Sequence, residues 1–338
     1  MTDGLAATLR RIRPADMEAR AAAQRALDAK TKPRGSLGRL EELACTIAAI
    51  RGSAAPDRLR AAVVVAAADH GVASEDVSAY PQEVTRQMLA NFAAGGSAVC
   101  VLAREAGAEL RIVDAGVGAP TANIADGPAM TRSAALQRVE EGISLANELA
   151  EKGIEAVGLG EMGIANTTSA SALVAALLGA DAASVCGPGT GLDDEGLDRK
   201  VEVVRRALRV NRVDTGDPLS VLAALGGFEI AVLCGLTLGA AANRMVVVLD
   251  GFITAAAALV ATRIAPVAAE AMIAAHVSTE PGHRLVLDAL GLRAVLDFEL
   301  RLGEGSGAAL VLPLLDASVA ILSEMATFAA AGVTDAGR

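Results

Sequence analysis

The 338-residue chain has no tryptophan, one tyrosine and five phenylalanines. A core without aromatic bulk has to come from small aliphatic side chains packed closely, and alanine and valine supply most of the 53% apolar content. A cationic surplus is also missing: 30 Lys and Arg stand against 40 Asp and Glu, a formal charge of -10. Nucleic-acid binding needs a cationic face for phosphates, and single strands also need stacking aromatics, so no nucleic-acid partner is expected. Cys45, Cys100, Cys186 and Cys234 are widely spaced with no C-x-x-C pair, which indicates neither a disulfide framework nor a zinc knuckle. The histidines are His70, His276 and His283, without H-E-x-x-H, so no metal site is expected from their spacing; no cofactor is expected either.

Long hydrophobic runs are scarce, despite a mean hydropathy of +0.43. The longest uncharged stretch, Met162 to Ala180, opens with Gly163, Asn166, Thr167, Thr168 and Ser169, which leaves too short an apolar remainder to span a bilayer. Ala231 to Asn243 is shorter still. Both read as buried helices, and no apolar segment after Met1 suggests secretion. A cytoplasmic protein without a membrane partner is the expectation.

What is present is a recurring pattern. The apolar runs Ala62 to Ala68, Arg111 to Val113, Ala156 to Leu159 and Met245 to Leu249 each end at an acidic residue or glycine. They read as buried parallel strands. Between them lie helical patterns at Val84 to Glu105, Ala134 to Lys152, Ala170 to Leu178, Asp194 to Arg209 and Phe252 to Arg263. The alternation predicts an α/β fold, a doubly wound, mostly parallel sheet with helices on both faces. Ligands in such sheets sit beyond the carboxyl ends of the strands, which puts Asp69, His70, Glu161 and Asp250 on one rim. Charged helical stretches at Asp16 to Lys30 and Leu37 to Arg51, with Leu315 to Ala331, predict a small helical domain made from both ends of the chain. The expected division is residues 1–55 with 315–338, and a large domain over 56–314.

Four segments carry the chemistry. Leu302-Gly303-Glu304-Gly305-Ser306-Gly307 sets one carboxylate among three glycines before the apolar run Ala308 to Leu312. Backbone can approach a ligand closely there, and a desolvated Glu304 with a raised pKa would suit a general base; a polar turn before a buried strand is the plainer reading. Gly158 to Thr168 is a glycine-punctuated turn into a helix, able to cradle a phosphate with its amides, Asn166 and Thr167, or else an ordinary loop capped by Asn166 or Thr167. Gly187-Pro188-Gly189-Thr190-Gly191 opens a second helix carrying Lys200, and lacks both the P-loop ending and G-x-G-x-x-G. One phosphate held by amides and Lys200 fits it. So does a solvated Lys200, with Asp193 and Asp194 capping the helix. The lone Tyr80, before Pro81 and near Met88, either lines a pocket for a flat ring or packs as a helix staple.

In chain order, Lys32-Pro33-Arg34-Gly35-Ser36-Leu37-Gly38-Arg39-Leu40-Glu41, Ala68-Asp69-His70-Gly71-Val72, Tyr80-Pro81-Gln82-Glu83-Val84-Thr85, Gly160-Glu161-Met162-Gly163-Ile164, Gly189-Thr190-Gly191-Leu192-Asp193-Asp194, Ser278 to His283 and Gly303-Glu304-Gly305-Ser306-Gly307 resemble the nicotinate-nucleotide:dimethylbenzimidazole phosphoribosyltransferase family, which makes the lower-ligand nucleotide of cobalamin. The resemblance implies transfer of phosphoribosyl from nicotinate mononucleotide to 5,6-dimethylbenzimidazole, giving α-ribazole 5'-phosphate and nicotinate with inversion at C1'. It implies Glu304 as general base and Glu161 near the ribose or reacting base, with Met162, Gly163, Asn166 and Thr167 at the nucleotide. Gly187, Gly189, Thr190, Gly191, Lys200 and Ser278 fall near phosphate, and Tyr80, Gln87, Met88 and Leu302 around the acceptor ring. Some relatives carry Ser and Gln at Tyr80 and Met88, which implies a more apolar acceptor pocket here. A homodimer with sites near the subunit interface is also implied, in which Ser278 would serve the partner's site. Two other readings are a nicotinamide-dependent oxidoreductase, opposed by the absent G-x-G-x-x-G, and a non-catalytic nucleotide-binding protein, opposed by the presence of Glu304 and Glu161.

Overall fold

The structure is a computed structural model describing residues 2–334; Met1 and residues 335–338 of the expected terminal domain lie outside the described residues. Five parallel strands, β1 (Ala61–Ala68), β2 (Glu109–Gly116), β3 (Ala156–Met162), β4 (Val246–Leu249) and β5 (Met272–Ala274), form one sheet in the order β2-β1-β3-β4-β5. Helices flank the sheet, as the alternating pattern predicted. β1 and β4 contain little but Val, Ala and Leu, and they are buried from Ala62 and Val246 onward, as strands covered on both faces require. β5 is the strand that the pattern did not foretell. It has three residues and follows Ala268, Ala269 and Ala271, so no β-branched run marks it.

The strand order reverses between β1 and β3, since the chain leaves β1 first for β2 on one side and later for β3 on the other. That is the switch point beside which doubly wound sheets bind ligands, and Glu161 is paired there with Ala66.

Two helical readings change. Val84 to Glu105 is two helices, Glu83–Ala93 and Ala98–Glu105, because Gly95 takes a left-handed φ of 75° and Ser97 caps the second by accepting from the Cys100 N–H at 3.3 Å. The run after Glu304 is not a strand but the start of a helix, Ser306–Glu324, which buries Ala308, Val311, Leu315 and Val319 in the core. By length and composition this helix could cross a membrane; more than half of it is buried inside the fold.

At the chain ends, helices Met17–Asp28 and Arg39–Arg51 share a separate small cluster, Ala23, Leu27, Ala44, Cys45 and Ala48, with Leu322. A buried Lys32–Glu41 ion pair at 2.8 Å ties the intervening turn to it. Helix Asp3–Arg11 instead packs on helices Arg132–Glu151 and Phe228–Ala242 of the main body, placing Leu5 in the large core. Helix Ser306–Glu324 runs unbroken through the boundary drawn at residue 315.

Candidate active site

The site is assembled where β3 ends. Glu161 is buried in the last turn of the strand, and one of its oxygens accepts from Asn166 Nδ2 at 2.5 Å. Asn166 is therefore not a helix cap: helix Asn166–Leu178 is entered through Ala165, which adopts a left-handed φ of 71°, and the freed Asn166 side chain serves Glu161. Burial pushes the Glu161 carboxyl up to about 8; Asn166 opposes this, and the carboxylates of Asp250 and Glu229 add to it. At neutral pH it is a protonated acid, able to donate as well as accept. Thr85 locks the turn from the far side by accepting from the Ile164 N–H at 3.1 Å. Behind it His70, fully buried, joins Glu229 at 2.8 Å and Ser169 at 3.1 Å, a role in the core beneath the site.

Glu304 comes from the opposite end of the chain and lies directly over this turn. Gly303, Glu304 and Gly305 have φ of 83°, 63° and 84°, three successive left-handed residues before the helix begins. For a glutamate that conformation costs on the order of 1–2 kcal/mol, and it is held by long-range packing. A Cβ on Gly303 would lie 2.3 Å from Glu161 Oε1, and one on Gly160 would lie 2.5 Å from the Glu304 carbonyl oxygen. Gly160 is thus needed because two backbones touch, and Gly303 because its backbone lies against the Glu161 carboxyl. Glu304 is 6% exposed, and Oε2 has no hydrogen-bond partner among the described residues. Burial raises its pKa, the nearby Asp250 charge raises it further, and the Val99 N–H at the start of helix Ala98–Glu105 pulls it back.

Asp250, at the end of β4, fastens that loop. Its Oδ1 accepts from Gly307 and Ala308 N–H at 2.6 and 3.0 Å, and its Oδ2 from Gly305 N–H at 3.1 Å. It satisfies the first amides of helix Ser306–Glu324 and fixes Glu304 by the same bonds. Burial pushes its pKa up, while His276, with Nε2 at 3.8 Å, and the three amides pull it down.

A cleft of about 100 Å³ joins these groups. Of the expected residues it is lined by Glu161, Met162, Gly163, Asn166, Thr167, Gly189, Thr190, Ser278, Leu302 and Glu304. Ser278 therefore faces the cleft of its own chain. Lys200 stands just behind the lining. It is fully buried, not solvated, and donates to Thr167 Oγ1 at 2.9 Å and the Gly187 carbonyl at 2.8 Å. Desolvation lowers its pKa and Glu280 opposes the shift. Asp193 caps helix Asp194–Asn211 by accepting from Gly196 N–H at 2.8 Å, so its charge is spent on the helix end; Gly191 is exposed beside it.

The acceptor-side residues are less gathered. Leu302 lines the cleft, but Tyr80 is 52% exposed before helix Glu83–Ala93, Gln87 is exposed on that helix and Met88 packs against the core. Residues that motif reading did not assign include Glu280, Phe252 and Arg301, all lining the cleft. A larger concavity of about 520 Å³, beside Arg58, Leu59 and Asp316, lies at the amino end of β1, away from these acids.

Buried acids facing glycine turns, with a buried lysine behind them, at a switch point define a small-molecule site, and residues 12–333 match the family model described as "Phosphoribosyltransferase". Proteins named nicotinate-nucleotide–dimethylbenzimidazole phosphoribosyltransferase from Geotalea uraniireducens and Geobacter sulfurreducens are each 50% identical, over 97% and 98% of both chains. A crystal structure of CobT from Thermus thermophilus superposes with a TM-score of 0.90 at 46% identity, covering 94% of this chain and 99% of that one. The chain belongs to the nicotinate-nucleotide:dimethylbenzimidazole phosphoribosyltransferase family.

Proposed function

We propose that this chain transfers phosphoribosyl from nicotinate mononucleotide to 5,6-dimethylbenzimidazole, with Glu304 as general base. One benzimidazole nitrogen attacks C1' on the face opposite the nicotinate; the new N–C1' bond forms as the old glycosidic bond breaks, and its electron pair returns to the pyridine nitrogen. Attack from that face inverts β to α. As the first nitrogen becomes bonded, Glu304 takes the proton from the second. The cationic pyridinium is already a good leaving group, so positioning and one proton transfer are the main demands on the protein.

The observation that carries this reading is Glu304 itself, a buried carboxylate with a raised pKa, held in left-handed backbone against Gly160, with Oε2 free of any hydrogen-bond partner among the described residues. Glu161, protonated below about pH 8, offers the ribose hydroxyls both a donor and an acceptor. The turns Gly163 to Thr167 and Gly187 to Gly191, Ser278 and Lys200 receive the phosphate. Leu302, with Tyr80, Gln87 and Met88 brought in around it, covers the acceptor ring. The working form is a cytoplasmic homodimer.

The test is a chromatographic assay of nicotinate mononucleotide with 5,6-dimethylbenzimidazole, following both products. Nicotinate and α-ribotide in equal amounts are expected. No product from folded protein, with other benzimidazoles, purines and phenols also inert, would reduce the chain to nucleotide binding.

A further inference from the structure

The glycine turn at Gly187 to Gly191 is held by a residue that the proposed reaction leaves unused. Gly189 N–H donates to Glu280 Oε1 at 2.9 Å. The other oxygen, Oε2, is buried without a hydrogen-bond partner among the described residues, and a Cβ on Gly187 would lie 2.5 Å from it. Glu280 lines the cleft and is only 7% exposed. Lys200, behind the same turn, donates to two neutral oxygens and has no carboxylate within ion-pair distance among the described residues. Glu280 is the carboxylate whose charge bears on it.

A phosphate seated by the Gly189 amide and Lys200 would need what Glu280 now holds. One N–H cannot serve two acceptors fully, and a dianion beside a desolvated carboxylate is repelled strongly where the dielectric is low. We propose that Glu280 is an internal surrogate for the donor's phosphate: its carboxylate occupies the Gly189 amide and balances Lys200, and yields both when the phosphate arrives. Glu280 is then a selectivity residue, because a donor without a dianion brings nothing to exchange for it. The inference rests on the phosphate position given under Proposed function.

Glu280→Gln keeps the shape and removes the charge. Calorimetric titration with inorganic phosphate should give binding roughly tenfold tighter than wild type, about 1.4 kcal/mol by the standard conversion, and the KM for nicotinate mononucleotide should fall. A residue that merely supports the turn predicts the reverse, weaker binding as the turn loosens. The second measurement uses the wild-type protein: a crystal structure with phosphate bound should show Glu280 moved off the Gly189 amide. Equal or weaker phosphate binding by Glu280→Gln, no phosphate binding by either protein, or a bound phosphate with the Glu280–Gly189 bond intact each overturns the proposal. Wild-type turnover is followed in parallel. Its absence overturns the transferase reading, whereas turnover without tighter phosphate binding in the variant overturns only the role of Glu280.

Discussion

Gly160→Ala tests whether the position of Glu304 depends on contact between two backbones. The added Cβ would lie 2.5 Å from the Glu304 carbonyl oxygen, 2.8 Å from its carbon and 2.9 Å from Gly305 N, where ordinary contact begins near 3.4 Å. All three are backbone atoms, so no rotamer relieves the clash. Strand β3 is hydrogen-bonded to β1 and β4 and cannot yield, which leaves the Glu304 loop to retreat by about 0.9 Å, a displacement of the size that costs on the order of 10²-fold in rate. Overpacking should also cost about 1–3 kcal/mol of stability. Gly158→Ala is the control on the same face of the same strand. Its Cβ would meet the Ala308 Cβ at 3.0 Å and Val63 Cγ2 at 3.4 Å, which are side-chain atoms under the helix. Turnover by nicotinate release, with urea denaturation alongside, should show kcat falling about a hundredfold in Gly160→Ala and by less than about fivefold in Gly158→Ala. Equal losses in the two variants, or a folded Gly160→Ala with wild-type kcat, would refute the reasoning.

Glu304→Gln should lower kcat by about 10²–10⁴ with little change in stability. Because the base acts when deprotonated and its pKa is raised, wild-type kcat/KM should decline as pH falls through a value above the usual carboxylate range; an acid limb at an ordinary carboxylate pKa would count against this assignment. Glu161 binds its proton more tightly folded than unfolded, so it contributes most stability below about pH 4.5 and loses it as pH rises through about 8. Urea denaturation at pH 5, 7 and 9 should therefore show Glu161→Gln gaining on wild type as pH rises, and a constant difference would remove the shift. Lys200→Met should raise the KM for nicotinate mononucleotide about 10–100-fold, the loss of a charge-assisted contact, beside the stability lost as Thr167 Oγ1 and the Gly187 carbonyl lose their donor; destabilised protein with unchanged KM would assign the lysine to the core. Leu302→Ala, at an exposed position, should change stability by less than about 0.5 kcal/mol and raise the KM for 5,6-dimethylbenzimidazole alone.

Legibility in the sequence followed the range of the forces. β1 and β4 were readable because a strand covered on both faces must be apolar throughout, and their Val and Ala runs say so locally; β3 was readable over Ala156 to Leu159, before Gly160 and Glu161 interrupt it. The break at Gly95 to Ser97 carried a local signal too, a glycine followed by a capping serine, but helical periodicity on either side outweighed it. Asn166 was readable as a polar residue at a helix start and not as the partner of Glu161, since capping and acid-binding use the same side chain. Nothing near Asp250 announces that its three donors lie more than fifty residues away. The burial of Lys200 was hidden for the same reason: a helix sequence shows which residues share a face, and the partners of that face, Thr167 and Gly187, belong to other elements.

Three carboxylates meet at this switch point, and their hydrogen bonds divide the work among them. Both oxygens of Asp250 are taken by backbone amides, so its charge is fixed in place and raises the pKa of both neighbours. Glu161 has one oxygen on Asn166 and lies deeper, which keeps its proton on at neutral pH and suits it to hold hydroxyls. Glu304 is the acid with an oxygen free of any partner among the described residues, on a loop too constrained to turn away. Proton transfer needs a basic oxygen that is not already spent and that cannot drift, and of the three only Glu304 meets both conditions. Loosening Asp250 should therefore harm catalysis through Glu304: Asp250→Asn keeps the shape but turns one of its two acceptors into a donor, so at least one of the three amide bonds is lost, and kcat should fall while the KM for either substrate holds. A KM that rises as much as kcat falls would place Asp250 at the substrate instead.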